Sequence, residues 1–237
     1  MHCIYTPDAD FNGEPRITVS GEEAHHAARV KRLAPGQRVG LIDGRGGRAV
    51  GVVLRAQTRG KSPWLEVEIA EVQRVEPVRP RVCVRSPAPK GEALEWMIDQ
   101  LSQVGAGAWG LLRTEHAERE PRRLDRLART VIESAKQCGR AHLMQLLAPV
   151  SLDEAVSAGG PVCVADAGGK SVDQAPHAED ITLLVGPEGG WSRRERAVFA
   201  ERGIPIVGLG PHVFRIETAA VVGASGMLLT GTLRREK

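Results

Sequence analysis

Two segments bring together residue types that secondary structure alone does not require. They are Leu184-Val185-Gly186-Pro187-Glu188-Gly189-Gly190-Trp191 and Gly208-Leu209-Gly210-Pro211-His212-Val213-Phe214-Arg215-Ile216-Glu217-Thr218-Ala219. Each begins at the C-terminal end of a predicted parallel strand, the edge at which open α/β sheets bind ligands. Each also carries glycines, which let backbone approach a ligand closely. Either segment alone could be a tight strand-to-helix turn. Together, with Arg215 and Glu217 just past the second strand, they read as a ligand site.

Other motifs carry less. Gly168-Gly169-Lys170-Ser171 ends like a phosphate-binding P-loop, but the glycine required five positions before Gly169 is Val164, so nucleotide hydrolysis is rejected. Gly208-Leu209-Gly210 lacks the third glycine and the context of a dinucleotide fingerprint. His25-His26 has no third ligand in sight and reads as helix or loop surface, not as a metal site. Cys3, Cys83, Cys138 and Cys163 form no CxxC pair, which argues against a zinc ribbon or a redox motif and for free thiols in a reducing cytosol.

The elements around the two segments alternate. Arg81 to Arg85, Gly110 to Arg113, Pro161 to Ala165, Ile181 to Val185 and Ile204 to Val207 read as strands. Helices are predicted over Glu92 to Val104, Arg122 to Cys138, Arg193 to Arg202 and Glu217 to Leu229. Such alternation implies an α/β fold, a largely parallel sheet covered by helices on both faces. Ser192 with Glu195 fits a capping box, and Gly203 sits where that helix should stop. In the helix over Arg122 to Cys138, Leu124, Leu127, Val131, Ala135 and Cys138 share one face, while Arg122, Arg126, Arg129, Lys136 and Arg140 fall on the other as a basic stripe.

Before Val75 to Pro80, a proline-bearing boundary, the pattern differs. Short β-like runs at Arg16 to Val19, Arg38 to Asp43, Ala49 to Ala56 and Trp64 to Val72 suggest a small β-barrel. Asp43-Gly44-Arg45-Gly46-Gly47 reads as a hairpin connection, and one helix, Glu22 to Leu33, is stopped by Pro35-Gly36.

A length of 237 residues suits two such domains, and an aromatic content of 3% leaves few rings for a base-stacking platform. Net charge is only +3, but Arg16 to Lys61 holds ten Lys/Arg against three acids. That local field suggests a polyanionic partner, or else a solvated face. There is no charged-then-apolar leader, and the longest mostly apolar run, near Ala219 to Leu229, is too short to span a bilayer. A cytoplasmic protein is expected.

The two glycine-bearing segments resemble the signature motifs of the SPOUT methyltransferases. In the form LxxGPEGG with LGxxxxRxETA they resemble the 16S rRNA uridine-N3 methyltransferase family. Pro89-Lys90-Gly91, Gln137-Cys138-Gly139-Arg140 for Q-x-G-R, and His26 to Leu33 for H-x-x-x-V-x-R extend the resemblance through nearly the whole chain. Two places depart from the pattern: Gln100-Leu101-Ser102-Gln103-Val104-Gly105 stands where K-x-x-E-L-G is usual, and His116 where an arginine follows Thr114-Glu115.

The resemblance implies a PUA-like RNA-binding β-barrel over residues 1–75 and a SPOUT methyltransferase domain with a trefoil knot over residues 76–237. It also implies a homodimer that transfers the methyl of S-adenosyl-L-methionine to N3 of a specific uridine in 16S rRNA, free or in the small ribosomal subunit, without a metal. Ribose 2′-O methylation on similar loops is the alternative within the superfamily. A non-catalytic RNA-binding assembly factor is the alternative outside it, and the intact loops argue against that.

On this reading the cofactor sits among Leu184, Gly186, Glu188, Gly189, Leu209, Gly210, Phe214, Thr218 and Ala219. Uracil N3 must lose its proton, so Arg215 is assigned to stabilise the developing anion. Glu217 orients Arg215 or acts on the proton, or else serves only the helix N-terminus. Arg29, Arg32, Lys90, Arg122, Arg126, Arg129 and Arg140 are expected to hold RNA. The small residues of the last helix, from Ala219 to Gly226, suit a knot, a dimer seam or packing within one subunit.

Overall fold

The computed structural model describes residues 1–57, 62–117 and 124–235. They form two compact units, Met1–Pro77 with Ala135–Leu143, and Val78–Ser134 with Met144–Lys237.

The first unit is built on a five-stranded mixed sheet of order β1-β3-β4-β5-β2. Its strands are β1 (His2–Tyr5), β2 (Arg16–Val19), β3 (Arg38–Ile42), β4 (Gly47–Gln57) and β5 (Trp64–Arg74). β1 runs parallel to β3, and the other pairings are antiparallel. Alternation along the strands sends Ile17, Val19, Val39, Leu41, Val53, Leu65 and Val67 into one core. In the β3–β4 connection Gly44 and Gly46 take φ of 77° and 100°, and Asp43 Oδ1 accepts from the N–H of Arg45 and Gly47 at 2.6 and 2.8 Å. The predicted hairpin is present. β1 was not anticipated: it is four residues long, and its partner lies more than thirty residues away in sequence.

The helix predicted over Glu22 to Leu33 is a correction. α1 (Gly21–His25) passes into a π-helical turn, His26–Val30, in which Lys31 N–H donates to His26 O at 3.0 Å. The wider turn keeps Ala24, Ala27 and Ala28 in the core and returns Leu33 to it. Arg32 pivots the exit at a left-handed φ of 53°.

In the second unit six strands form an all-parallel sheet of order β11-β9-β10-β6-β7-β8. They are β6 (Arg81–Ser86), β7 (Ala108–Arg113), β8 (Gln145–Ser151), β9 (Val162–Ser171), β10 (Asp180–Val185) and β11 (Ile206–Gly208). The helices are α2 (Ala93–Val104), α3 (Leu124–Cys138, whose last residues from Ala135 belong to the first unit), α4 (Leu152–Ser157), α5 (Arg193–Glu201) and α6 (Ile216–Arg235). Sequence reading missed β8 and α4. β8 is an edge strand with Pro149 inside it, which an edge tolerates but which hides the strand pattern.

The inward faces of β6, β7 and β10 are almost entirely apolar, as strands covered on both sides require. α2 and α6 pack together, with α6 over β6 and β10. Leu152 and Ala155 of α4 and Phe199 of α5 join Leu112, Val164, Leu184 and Trp191 in a separate cluster. β6 leads through α2 to β7, whereas the adjacent β10 leads through α5 to β11 in the opposite direction. The C-terminal ends of β6 and β10 therefore form a topological switch point, where open sheets leave a crevice.

Candidate active site

β10 delivers its buried run Leu183–Leu184–Val185 to the first glycine loop. A Cβ at Gly186 would lie 2.9 Å from the Trp191 indole, so only glycine lets that ring fold beneath the loop. Trp191 is buried, donates Nε1–H to Ala165 O at 3.4 Å and meets Phe199 edge to face with ring centroids 5.0 Å apart. Above it Gly190, at φ +70°, donates to Pro187 O at 2.9 Å and closes a turn whose tip, Glu188–Gly189, is exposed. The capping box follows as predicted: Ser192 and Glu195 satisfy each other's backbone N–H. Leu184 turns its side chain into the cluster with Trp191 and Phe199, leaving only its backbone for a ligand.

The second loop leaves β11. A Cβ on Gly169 would fall 2.5 Å from the Val207 carbonyl carbon, and one on Gly208 would fall 2.8 Å from Gly169 O. The Gly-Gly-Lys-Ser run thus serves close strand approach. Gly210 is exposed beside Phe214, whose ring a Cβ would meet at 3.1 Å. Arg215 is exposed, and its carbonyl accepts from Ala219 N–H at 2.8 Å, opening α6. Glu217 and Thr218 are half-buried in the first turn, and Ala219 is buried.

α6 brings the two loops to one place. A Cβ on Gly223 would lie 2.5 Å from Leu183 Cδ2 and 3.4 Å from Leu209 Cδ1, so the strand before one loop and the first residue of the other meet there.

A third strand end belongs to this edge, and sequence reading did not assign it. After β7, Glu115 N–H donates to Glu195 Oε1 at 3.0 Å, and His116 Nδ1 lies 2.9 Å from Gly190 O. Thr114 Oγ1 is buried with no protein partner among the described residues. The signal was available, because Thr114-Glu115-His116 closes a predicted parallel strand just as the glycine loops do. Exposed glycines at the ends of two strands, with a third strand end tied to the first loop through His116, leave backbone groups open to a small ligand.

The basic candidates divide. Arg122 and the side chain of Arg29 lie outside the described residues. Arg32, Lys90 and Arg129 are exposed, and Arg126 pairs with Glu95 at 2.8 Å while remaining 60% exposed. The stripe does not extend further. Lys136 is buried against Glu23, and Gly139, at φ +74°, turns Arg140 out of the helix to donate Nε–H to His142 O. Burial lowers the Arg140 pKa. His26 is half-buried and stacks on His2, with ring centroids 5.7 Å apart. Among the described residues no group of three or more His, Cys, Asp or Glu could hold a metal ion, and no helix is long and apolar enough to cross a membrane.

Comparison with known proteins bears on this geometry. Residues 76–228 match the model of an RNA methyltransferase domain, and residues 19–61 that of an RNA methyltransferase PUA domain. Ribosomal RNA small subunit methyltransferase E of Mycobacterium tuberculosis is 36% identical over 228 residues, covering 89% of this chain and 86% of its own length. The protein of the same name from Synechocystis is 30% identical over 88% of this chain and 71% of its own length. Among solved structures, a probable rRNA-methyltransferase of Porphyromonas gingivalis aligns at TM-score 0.85 and 26% identity, covering 99% of this chain and 100% of that one. A Legionella pneumophila protein of the methyltransferase class, solved with S-adenosylmethionine bound, aligns at TM-score 0.82 and 26% identity over 96% of each chain.

Proposed function

From the chain's membership of the ribosomal RNA small subunit methyltransferase E family, an S-adenosylmethionine-dependent RNA methyltransferase family, we propose that it methylates N3 of one uridine in 16S rRNA. One observation carries the assignment of the site: two glycine loops at the C-terminal edge of a parallel sheet, brought to α6 at Gly223, with Arg215 at the start of that helix.

S-adenosylmethionine supplies an electrophilic methyl group. The chain's own residues must hold it, align the base and stabilise the charge that develops there. Backbone of Leu184, Gly186, Gly189, Leu209 and Gly210 is available for holding, with Glu188, Phe214, Thr218 and Ala219 around it. The exposed Arg215 can place two N–H donors on the oxygen-bearing edge of a uracil losing its N3 proton. The positive end of α6 adds to that field. Glu217, half-buried in the first turn, either orients Arg215 or receives the proton. N3 lies inside the base pair, so the target must be unpaired or flipped outward.

We assign RNA binding to residues 1–75 and to the exposed Arg126 and Arg129, and catalysis to residues 76–237. Two further features are proposed. The chain is threaded as the trefoil knot that the family resemblance implies, with α6 against the β9–β10 connection, where a Cβ on Gly226 would stand 3.0 Å from Val172. Trp96 on α2 with Val222 and Leu229 on α6 leave apolar surface exposed on two helices that pack together, which supports a homodimer through that face. The protein works in the cytoplasm, where its rRNA substrate is.

Mass mapping of 16S rRNA methylated by the purified protein tests the reaction. Methyl on uracil N3 is expected. Methyl on a ribose 2′ oxygen would transfer the site to the other superfamily chemistry, and no transfer despite S-adenosylmethionine binding would make the protein an assembly factor.

A further inference from the structure

We infer that His116 is a positioning residue for the cofactor turn, holding Pro187–Gly190 in its binding conformation through the Gly190 carbonyl. The inference rests on the assignment of that turn to S-adenosylmethionine.

The turn has little to fix it from within. It closes on a single backbone hydrogen bond, Gly190 N–H to Pro187 O, and two of its four residues are glycines, which give the backbone wide freedom. Trp191 anchors the chain below it and so restrains the Gly190–Trp191 peptide plane from one end. His116 holds the carbonyl of that plane directly. Its Nδ1 lies 2.9 Å from that oxygen, within range of a good hydrogen bond, and a carbonyl can only accept, so Nδ1 carries the proton. Its Cβ is 3.3 Å from where a Cβ on Gly189 would be, so the histidine also backs the exposed tip of the turn.

His116 can act as a strut because its own backbone is held. The neighbouring Glu115 N–H is bound by Glu195 Oε1, and the other oxygen of that buried carboxylate is bound by Ser192 N–H at 2.7 Å. The segment leaving β7 is thereby fixed to the start of α5, two residues beyond the turn. An arginine, usual at this place in the resembling family, would carry its donors several bonds further from the backbone. A histidine puts one donor close in, where this turn needs it.

Calorimetry with S-adenosylmethionine on full-length wild type, His116→Ala, His116→Asn and His116→Gln tests the inference. Asparagine places an N–H donor at the same distance from Cβ as Nδ1, whereas glutamine places it one bond further out. His116→Ala and His116→Gln should raise Kd by roughly three- to tenfold, the cost of one neutral hydrogen bond. His116→Asn should restore most of the affinity, and kcat at saturating cofactor should stay within about twofold of wild type in all three. Wild-type Kd in His116→Ala, or an asparagine variant as weak as the alanine one, would overturn the strut. Hydrogen exchange on the wild type separates this failure from failure of the site: if S-adenosylmethionine does not protect the amides of Gly186 and of Glu188, Gly189 and Gly190, the turn is not the cofactor site and the inference falls with it.

Discussion

Lys136 Nζ lies 2.8 Å from Glu23 Oε1, with only 5% of the lysine side chain and 22% of the glutamate side chain exposed. The other carboxylate oxygen of Glu23 accepts from Tyr5 N–H at 3.2 Å, so one acidic residue ties α1, β1 and the last turn of α3 within the first unit. Removing the lysine leaves the Glu23 carboxylate without its cation in a site only partly open to water. Lys136→Ala should therefore destabilise the protein by about 2–4 kcal/mol, against less than about 0.5 kcal/mol for exposed Arg129→Ala. Urea unfolding of both variants checks this, and equal midpoints would show that the pair is only a surface contact.

Lys136 also marks where sequence reading ran out. Helical spacing put it in line with Arg126 and Arg129, and spacing reports direction around a helix axis, not what lies opposite. The partner, Glu23, is more than a hundred residues away in the chain. Gly139 did signal that Arg140 could leave the helix, toward the active site on that reading, but not that Arg140 would instead donate to His142 O. The two glycine loops were legible, because a parallel strand followed by closely spaced glycines and a capping box leaves a local trace. β8 left none, its alternation masked by Pro149, and the π-helical turn at His26–Val30 differs from an α-helix in its hydrogen-bond register, which residue types do not report.

Gly223 is the place where β10 and the second loop share α6, and a side chain there has no room. Gly223→Val should cost about 1–3 kcal/mol through overpacking against Leu183. Gly189→Val, at the exposed tip, would bring a Cβ to 3.3 Å from His116 Cβ, so it should lower the melting temperature slightly, His116 being exposed and able to shift, and abolish S-adenosylmethionine binding. Normal affinity in folded Gly189→Val would remove that tip from the cofactor site.

Burial pushes the Cys163 thiol up to about 12 and the Cys3 thiol up to about 11, from a usual 9.0, while Cys138 is exposed. A thiol reagent at pH 8 should modify Cys138 first and Cys163 only on unfolding, since the thiolate is the reactive form. Folding raises these two values, so the folded state holds its protons longer. Stability should fall as pH climbs from near 9 toward 11–12. Rapid labelling of Cys163 in peptide maps at pH 8, or stability that rises over this alkaline range, would contradict the burial.

Arg215 is exposed at the start of α6 and, in the proposed reaction, acts on the charge that develops at uracil. Arg215→Ala should lower kcat by roughly 10² or more with little change in S-adenosylmethionine affinity. Calorimetry beside single-turnover kinetics separates the outcomes. Lost cofactor binding would move Arg215 into the binding site, and near-normal kcat would remove it from the mechanism.

The last expectation concerns α3 and runs from geometry to salt. Arg129 is exposed and available to a phosphate, whereas Arg126, also exposed, is held by Glu95 at 2.8 Å. An exposed pair of that kind is worth about 0–1 kcal/mol, so a phosphate can displace the carboxylate. Each phosphate neutralised by a cation releases condensed counterion, and losing one such contact should flatten the salt dependence of RNA binding by a slope of roughly 0.7 to 0.9. Arg129→Ala should show that full change. Arg126→Ala should show less, because Glu95 already offsets part of its charge, and Glu95→Gln should strengthen RNA binding by freeing Arg126. Cofactor affinity and melting temperature should stay nearly constant across the three variants. The readout is a filter-binding series over salt concentration with a 16S rRNA fragment. If Arg126→Ala with Arg129→Ala kept the wild-type slope, this face of α3 would be ordinary solvent surface, and the basic stretch from Arg16 onward in the first unit would have to carry the RNA.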